Sequence, residues 1–201
     1  MKTLIIVDAQ NDFMPGGALE VQQGDKILPV INRIQEKFDL IVATQDWHPA
    51  SHKSFAKNHP GKEEFETIEL NGLEQKLWPP HCIQGTKGAA FHPELKTNAI
   101  EAIFRKGMDK EIDSYSGFYD NGHKKSTGLS GYLREKGGKQ LYFCGLAADI
   151  CVYFSLLDAL KEGFEAYLIE DAAVPLDLDN YEQIRQQIRD KGGKIVSSEE
   201  I

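Results

Sequence analysis

The chain has 201 residues, 41% of them hydrophobic, and 23 basic against 31 acidic side chains give it a net charge of -8. That length buries about 70% of the unfolded surface, enough for one well-cored unit, while the charge speaks against a general nucleic-acid or anionic-membrane binder; the local basic cluster of Lys124 and Lys125 is too small a positive footprint. Three cysteines, an odd number at low density, exclude a closed disulfide framework. In chain order, the first apolar run, Leu4-Ile5-Ile6-Val7, is cut by Asp8. It is too short for a signal h-region or a membrane span, so a soluble, reduced, cytoplasmic protein is expected.

Residues 3–7 form an apolar, largely β-branched run of the kind buried on both faces of a parallel sheet, with Asp8 at its C-terminal end. Over 25–38, Ile27, Val30, Ile31, Ile34 and Phe38 recur at helical spacing, with Asp25 as a cap. Residues 40–44 read as a second strand. From 45 to 98 the alternation stops, and this loop-rich insertion holds five of the six histidines, both tryptophans and five of the eight prolines; long structureless insertions in compact domains are usually functional. Beyond it a strand fits 99–106, with a helix as the alternative, followed by a helix over 126–136 and a strand over 140–144. A helix over 149–162 ends at Gly163, and a strand over 166–169, a helix over 180–191 and a strand over 194–197 complete the chain. Six strands alternating with helices predict an α/β fold with a parallel sheet covered on both faces, and residues 1–201 read as a single domain.

In such folds ligands bind beyond the carboxyl ends of the strands, where strand order reverses, so the residues just after each strand carry the chemistry. Asp46, His48 and His52 follow the second strand, and His81 comes later in Trp78-Pro79-Pro80-His81-Cys82. Any one of these histidines reads equally well as an exposed loop residue, but one carboxylate with three imidazoles suits Zn²⁺, Fe²⁺ or Mn²⁺. Cys151 falls in the first turn of a predicted helix, where the helix dipole lowers a thiol pKa. Alone it fits a buried, inert cysteine slightly better; Asp8, able to approach it across the switch point, and Lys106, able to keep Asp8 charged, tip it towards a nucleophile. Asp8 as a turn cap and Lys106 as a solvated strand end remain the alternatives for each taken singly. Gln10 and Asp12 read as turn-stabilising, Cys144 as core, and His59, His92 and His123 as ordinary loop histidines.

Val7-Asp8-Ala9-Gln10-Asn11-Asp12-Phe13, Asp46-Trp47-His48-Pro49 with His52, Trp78-Pro79-Pro80-His81-Cys82, Phe104-Arg105-Lys106-Gly107, Tyr115-Ser116-Gly117-Phe118, and Gly145-Leu146-Ala147 through Cys151-Val152 occur in this order. Together they resemble the nicotinamidase/pyrazinamidase branch of the isochorismatase-like cysteine hydrolases. The resemblance implies a three-layer α/β/α fold with a six-stranded sheet of order 3-2-1-4-5-6, and Asp8, Lys106 and Cys151 as catalytic triad. It implies Asp46, His48, His52 and His81 as ligands of one divalent metal ion, zinc ahead of iron or manganese. Phe13, Trp78, Tyr115 and Leu146 would bind substrate, the backbone N–H groups of Ala147 and Cys151 would form an oxyanion hole, and the Leu146–Ala147 peptide would be cis. Ala148 and Ile150 depart from the Thr and the aromatic or His that relatives often carry, which leaves the reacting groups untouched. The partner implied is a small neutral pyridine or pyrazine carboxamide, with no nucleic acid and no membrane, and the protein is a monomer or homo-oligomer. A dinucleotide-binding oxidoreductase would share the alternating pattern, but no G-x-G-x-x-G follows the first strand.

Overall fold

The computed structural model describes residues 1–201. Strand β1 (Lys2–Val7) leads into a 3-10 turn at Asn11–Phe13 and then helix α1 (Ile27–Ile34), flanked by 3-10 turns at Gly24–Lys26 and Gln35–Lys37. Asp25 lies inside the first flanking turn and gives no side-chain cap, contrary to expectation, because the helix is entered from Lys26, already in helical conformation. Strand β2 (Leu40–Asp46) follows, then the insertion, which carries an antiparallel hairpin of β3 (Thr67–Leu70) and β4 (Leu73–Lys76). The second half runs β5 (Ala102–Lys106), α2 (Leu129–Lys136), β6 (Gln140–Leu146), α3 (Cys151–Lys161), β7 (Glu165–Val174), α4 (Tyr181–Asp190) and β8 (Lys194–Val196).

The large sheet has the order β5-β2-β1-β6-β7-β8, which is 3-2-1-4-5-6 when its own six strands are numbered along the chain. All its pairings are parallel, with Ile5 opposite both Val42 and Phe143. Alternate residues of β1 enter opposite cores: Leu4 and Ile6 join Ile27, Leu28, Ile31 and Ile34 of α1, whereas Ile5 and Val7 join residues of α2, α3 and α4 such as Leu133, Leu156 and Ile188. The strand period of two thus feeds two hydrophobic layers, giving three layers in all. The insertion packs Trp78, Cys82, Ala89 and Leu95 into the α1 side.

Sheet order reverses between β1 and β6, whose neighbours continue in opposite directions, so the switch point lies at the C-terminal ends of those two strands. Gly145 makes their close approach there possible. It pairs with Val7, has φ of 114°, and a Cβ on it would lie 1.9 Å from the Val7 carbonyl oxygen. Asp8 leaves β1 with φ of 47°, a left-handed conformation that aspartate tolerates better than most residues and that concentrates at functional sites. No helix is long and apolar enough to cross a membrane.

Candidate active site

At the switch point four chain segments deliver buried polar side chains into the mouth of the sheet. Asp8 follows β1, Asp46 ends β2, Lys106 ends β5, and Cys151 begins α3; all are buried, Asp8 and Lys106 nearly completely. The Lys106 ammonium is their hub. Its Nζ lies 2.6 Å from Asp46 Oδ1, 2.9 Å from Asp8 Oδ2, 3.0 Å from the Ser114 carbonyl oxygen and 3.4 Å from Cys151 Sγ. A carboxylate oxygen of Asp8, one of Asp46 and the Cys151 sulfur all lie within 4.8 Å of one another. The other Asp8 oxygen, Oδ1, accepts a 2.6 Å hydrogen bond from the Thr44 hydroxyl on β2.

Burial, partly countered by Lys106 and reinforced by Asp46, raises the Asp8 carboxyl above its ordinary value. Burial works the same way on Asp46, but there the Lys106 ammonium, together with the His48 and His81 imidazoles, prevails and holds the carboxyl well below the usual range. Lysine burial would favour loss of the proton; Asp46, Asp8 and Cys151 override it, so Lys106 stays firmly charged. At Cys151 the sequence expectation reverses. Its place in the first turn of α3 predicts a lowered thiol pKa, yet burial, with Asp8 and Asp46 adding to it against Lys106, pushes the thiol well up. The resting sulfur is therefore protonated and needs a base; of the two carboxylates within 4.8 Å of it, Asp8, with its raised pKa, is the more basic.

The N-terminus of α3 has no side-chain cap, and neither the Ala147 nor the Cys151 backbone N–H donates to a protein acceptor. Two backbone donors, one of them on the residue that carries the sulfur, are thus left without a protein acceptor. The Leu146–Ala147 peptide is cis. The cavity in front of Cys151 is lined by Phe13, Trp78, Tyr115, Ile150 and Leu176, among others. Its walls are braced: the Trp78 indole donates to the Tyr115 hydroxyl over 3.3 Å. Leu146, expected against substrate, is not among the lining residues. It is completely buried and packs towards Gly24 instead, because alternation along β6 turns its side chain into the α1-side core.

Beside the thiol lie the expected metal ligands. Donor atoms of Asp46, His48 and His81 fall within 4.8 Å of one another, whereas His52 forms a second such group with His48 and Asp113. The Nδ1–H of His48 donates to the Gly107 carbonyl over 2.9 Å and that of His81 to the Pro79 carbonyl over 2.8 Å. A carbonyl only accepts, so in both neutral rings the Nε2 lone pair is left for a metal; these nitrogens lie 3.5 and 3.7 Å from Asp46 Oδ2. His52 has its Nδ1 2.7 Å from the Ser54 hydroxyl, and its Nε2 is buried with no partner. A buried imidazole nitrogen without a hydrogen bond is costly unless a cation takes it, and Asp46, His48 and His81, whose donor atoms lie together, fit a divalent ion, with His52 adjoining them through His48.

Three supporting residues carry more weight than their sequence positions announced. Gln10, read as turn-stabilising, clamps Asp46 through both backbone groups: its Nε2 donates to the Asp46 carbonyl and its Oε1 accepts from the Asp46 N–H, each at 2.8 Å. Asp12 accepts from the Cys82 N–H at 2.7 Å, anchoring the turn that presents His81. Asp113, buried at the cavity wall, was not anticipated, since a lone acid in a loop carries no periodic signal of burial. Cys144 is core, as expected, and His59 binds the Lys53 carbonyl at 2.7 Å in the surface loops.

At Gly107 a methyl group would run into the ring of a candidate metal ligand. The φ there is 68°, and a Cβ would lie 2.2 Å from His48 Cε1. Gly107→Ala is therefore expected to displace the His48 ring and weaken divalent-ion binding about 10-fold or more while the fold survives. Metal titration monitored beside thermal melting checks this; unchanged affinity would mean that the ring has room to shift.

The architecture and the Asp-Lys-Cys cluster define a three-layer α/β/α protein with a buried thiol at its switch point. The family model of the isochorismatase domain matches residues 2–200, and the chain belongs to that family and is a hydrolase. A nicotinamidase of Acinetobacter baylyi is 46% identical over 199 residues, covering 98% of this chain and 93% of the relative. Among solved structures, a nicotinamidase/pyrazinamidase of Acinetobacter baumanii is 48% identical with a TM-score of 0.96, covering 99% and 97% of the two chains. A pyrazinamidase of Pyrococcus horikoshii in complex with zinc is 40% identical with a TM-score of 0.80, covering 98% of each.

Proposed function

We propose that this hydrolase cleaves the carboxamide of nicotinamide, and of pyrazinamide, to the carboxylic acid and ammonia, and so serves pyridine-nucleotide salvage. The observation that carries this reading is the thiol of Cys151, buried at the base of an aromatic cavity between a base, two free N–H donors and a cluster of metal-type ligands. The relatives named above support the choice of amide.

An unactivated amide resists water because its carbonyl is resonance-stabilised and its leaving group is poor; a covalent route divides the barrier. Asp8 takes the Cys151 proton, and the sulfur adds to the amide carbon. The oxygen that becomes negative is met by the N–H groups of Ala147 and Cys151, each such donor being worth about 3 kcal/mol in the transition state. Asp8 then gives its proton to the amide nitrogen, the C–N bond breaks, and ammonia leaves a thioester. Water, losing a proton to Asp8, adds to the thioester carbonyl; the C–S bond breaks, the acid departs, and the sulfur regains its proton. Lys106 holds the Asp8 charge in place throughout, at 2.9 Å. Asp46, His48, His52 and His81 would hold one divalent ion, zinc or else iron or manganese, which when bound supplies an anchor for a ring nitrogen beside the reacting carboxamide. Phe13, Trp78 and Tyr115 wall the ring, and no side chain needs to neutralise a substrate charge.

Purified protein is expected to release ammonia stoichiometrically from nicotinamide, and chelation should remove one divalent ion per chain together with the activity. Turnover of other small amides with nicotinamide inert would reject the substrate; full activity in metal-free protein would reject the role of the ion.

A further inference from the structure

Around the cavity three buried carboxylates, Asp8, Asp46 and Asp113, face a single buried ammonium, that of Lys106. Lys106 serves Asp8 and Asp46. Asp113 has no share in it and forms no ion pair with any basic side chain. Its hydrogen bonds are to neutral donors, the Ser114 N–H at 2.8 Å on Oδ1 and the Gln75 amide at 3.1 Å on Oδ2. A carboxylate has about four lone-pair sites, so each oxygen keeps capacity. A buried anion without a cation is expensive, and that expense points to a missing positive charge.

A second, independent observation places the missing charge. An oxygen of Asp113 lies within 4.8 Å of ligand nitrogens of both His48 and His52, and His52 Nε2 is the buried nitrogen that has no partner. His48 belongs also to the group formed with Asp46 and His81, so two ligand groups share one imidazole. Two negative charges left over from three carboxylates and one ammonium are what a single divalent ion neutralises.

We infer that Asp113 is a second carboxylate of the metal centre, which balances the charge of the ion through His48 and His52, the two imidazoles it reaches, from outside the group of Asp46, His48 and His81. This rests on the metal-site reading given above. Asp113 is a positioning and charge-balancing residue for the ion and not a group that touches the reacting atoms. It also ties the ion to the cavity wall, because the Gln75 amide that binds Asp113 lies 3.3 Å from the Tyr115 hydroxyl.

The test is Zn²⁺ titration of the chelator-stripped full chain against a chromophoric competitor, with thermal melting of the stripped protein as the control for folding. Asp113→Asn, which keeps shape and one acceptor oxygen, is expected to raise the Zn²⁺ Kd about 10- to 100-fold, with one ion per chain and an unchanged melting temperature of the stripped protein. Asp113→Ala should act in the same direction and serves if the amide variant folds poorly. A wild-type Kd in both variants, with Asp46→Asn and His81→Ala weakened, overturns this inference alone and leaves the metal reading standing. Two ions per chain, only one of them lost with Asp113, overturns the shared centre in favour of a separate site. Wild-type affinity in Asp46→Asn and His81→Ala overturns the metal reading and this inference with it.

Discussion

Cys151→Ala is expected to lower kcat/KM for amide hydrolysis by roughly 10⁴ to 10⁶, leaving only what binding and the free N–H donors supply. The sulfur has no substitute in the site: Cys144 is buried in the sheet, and Cys82 is a completely buried thiol whose pKa is pushed well up by burial and by the Asp46, Asp8 and Asp12 charges. The variant should fold and bind Zn²⁺ as wild type does, since the polar contacts of the Cys151 thiol are with Lys106, at 3.4 Å, and Asp8, which remain paired with each other. Two further readouts separate a nucleophile from a merely structural thiol. Wild-type protein quenched during turnover should carry the acyl mass on Cys151, and hydroxylamine should divert part of the product to the hydroxamate. The dependence on pH follows from Asp8: its folded pKa is raised by burial, so the basic form is lost as pH falls through that raised value and kcat/KM falls with it. A Cys151→Ala protein with appreciable turnover would sink the covalent route.

What made this site legible from sequence was the sheet. Apolar runs ending in Asp8, near Asp46 and at Lys106 mark strand ends, and the rule that ligands gather there selects those residues from the sequence alone. What escaped was whatever depends on distant segments meeting. The hairpin of β3 and β4 had a signal, Asn71-Gly72, and both residues take the left-handed conformation of a tight hairpin turn, with φ of 53° and 79°. Its flanks, Thr67-Ile68-Glu69-Leu70 and Leu73-Glu74-Gln75-Lys76, are half exposed and charged, so the alternation was too weak to read. Strand β7 runs past the polar pair Glu170-Asp171, where the apolar pattern stops, because after a register shift its backbone resumes pairing with β6 at Gly145 and Leu146. The Cys151 pKa escapes the sequence for a related reason: the helix terminus is local and visible, whereas the burial that outweighs it, reinforced by carboxylates from β1 and β2, is made by distant segments. Asp113 was invisible because burial of a lone loop acid is decided entirely by what folds over it.

Lys106→Met should be the most damaging single change to the fold as well as to the reaction. Methionine matches the stem of lysine but removes the charge, leaving Asp8 and Asp46 buried without their common counter-ion. Breaking a buried pair from one side typically costs 3–5 kcal/mol, and for a chain of this size about 2–4 °C of melting temperature follows each kcal/mol, so a drop of roughly 6–20 °C is expected. The sign of its pH dependence is fixed by Asp46. In wild type that carboxyl is held well below its ordinary 3.8, so its contribution to stability is fully present above 3.8 and is lost as pH falls through the lower folded value. Without Lys106 the same burial raises the Asp46 pKa, and protonation then relieves the variant as the solution is acidified. The gap in melting temperature between wild type and Lys106→Met should therefore be widest near neutral pH and narrow below pH 3.8. A gap independent of pH would assign the loss to packing of the lysine stem. Activity adds a separate constraint. With the ammonium gone, Asp8 loses the charge that stabilises its basic form, and the acidic limb of kcat/KM should move to higher pH even where the variant is fully folded. Lysine as a mere filler of volume would leave that limb where it is, so the two measurements together separate the electrostatic hub from a structural plug.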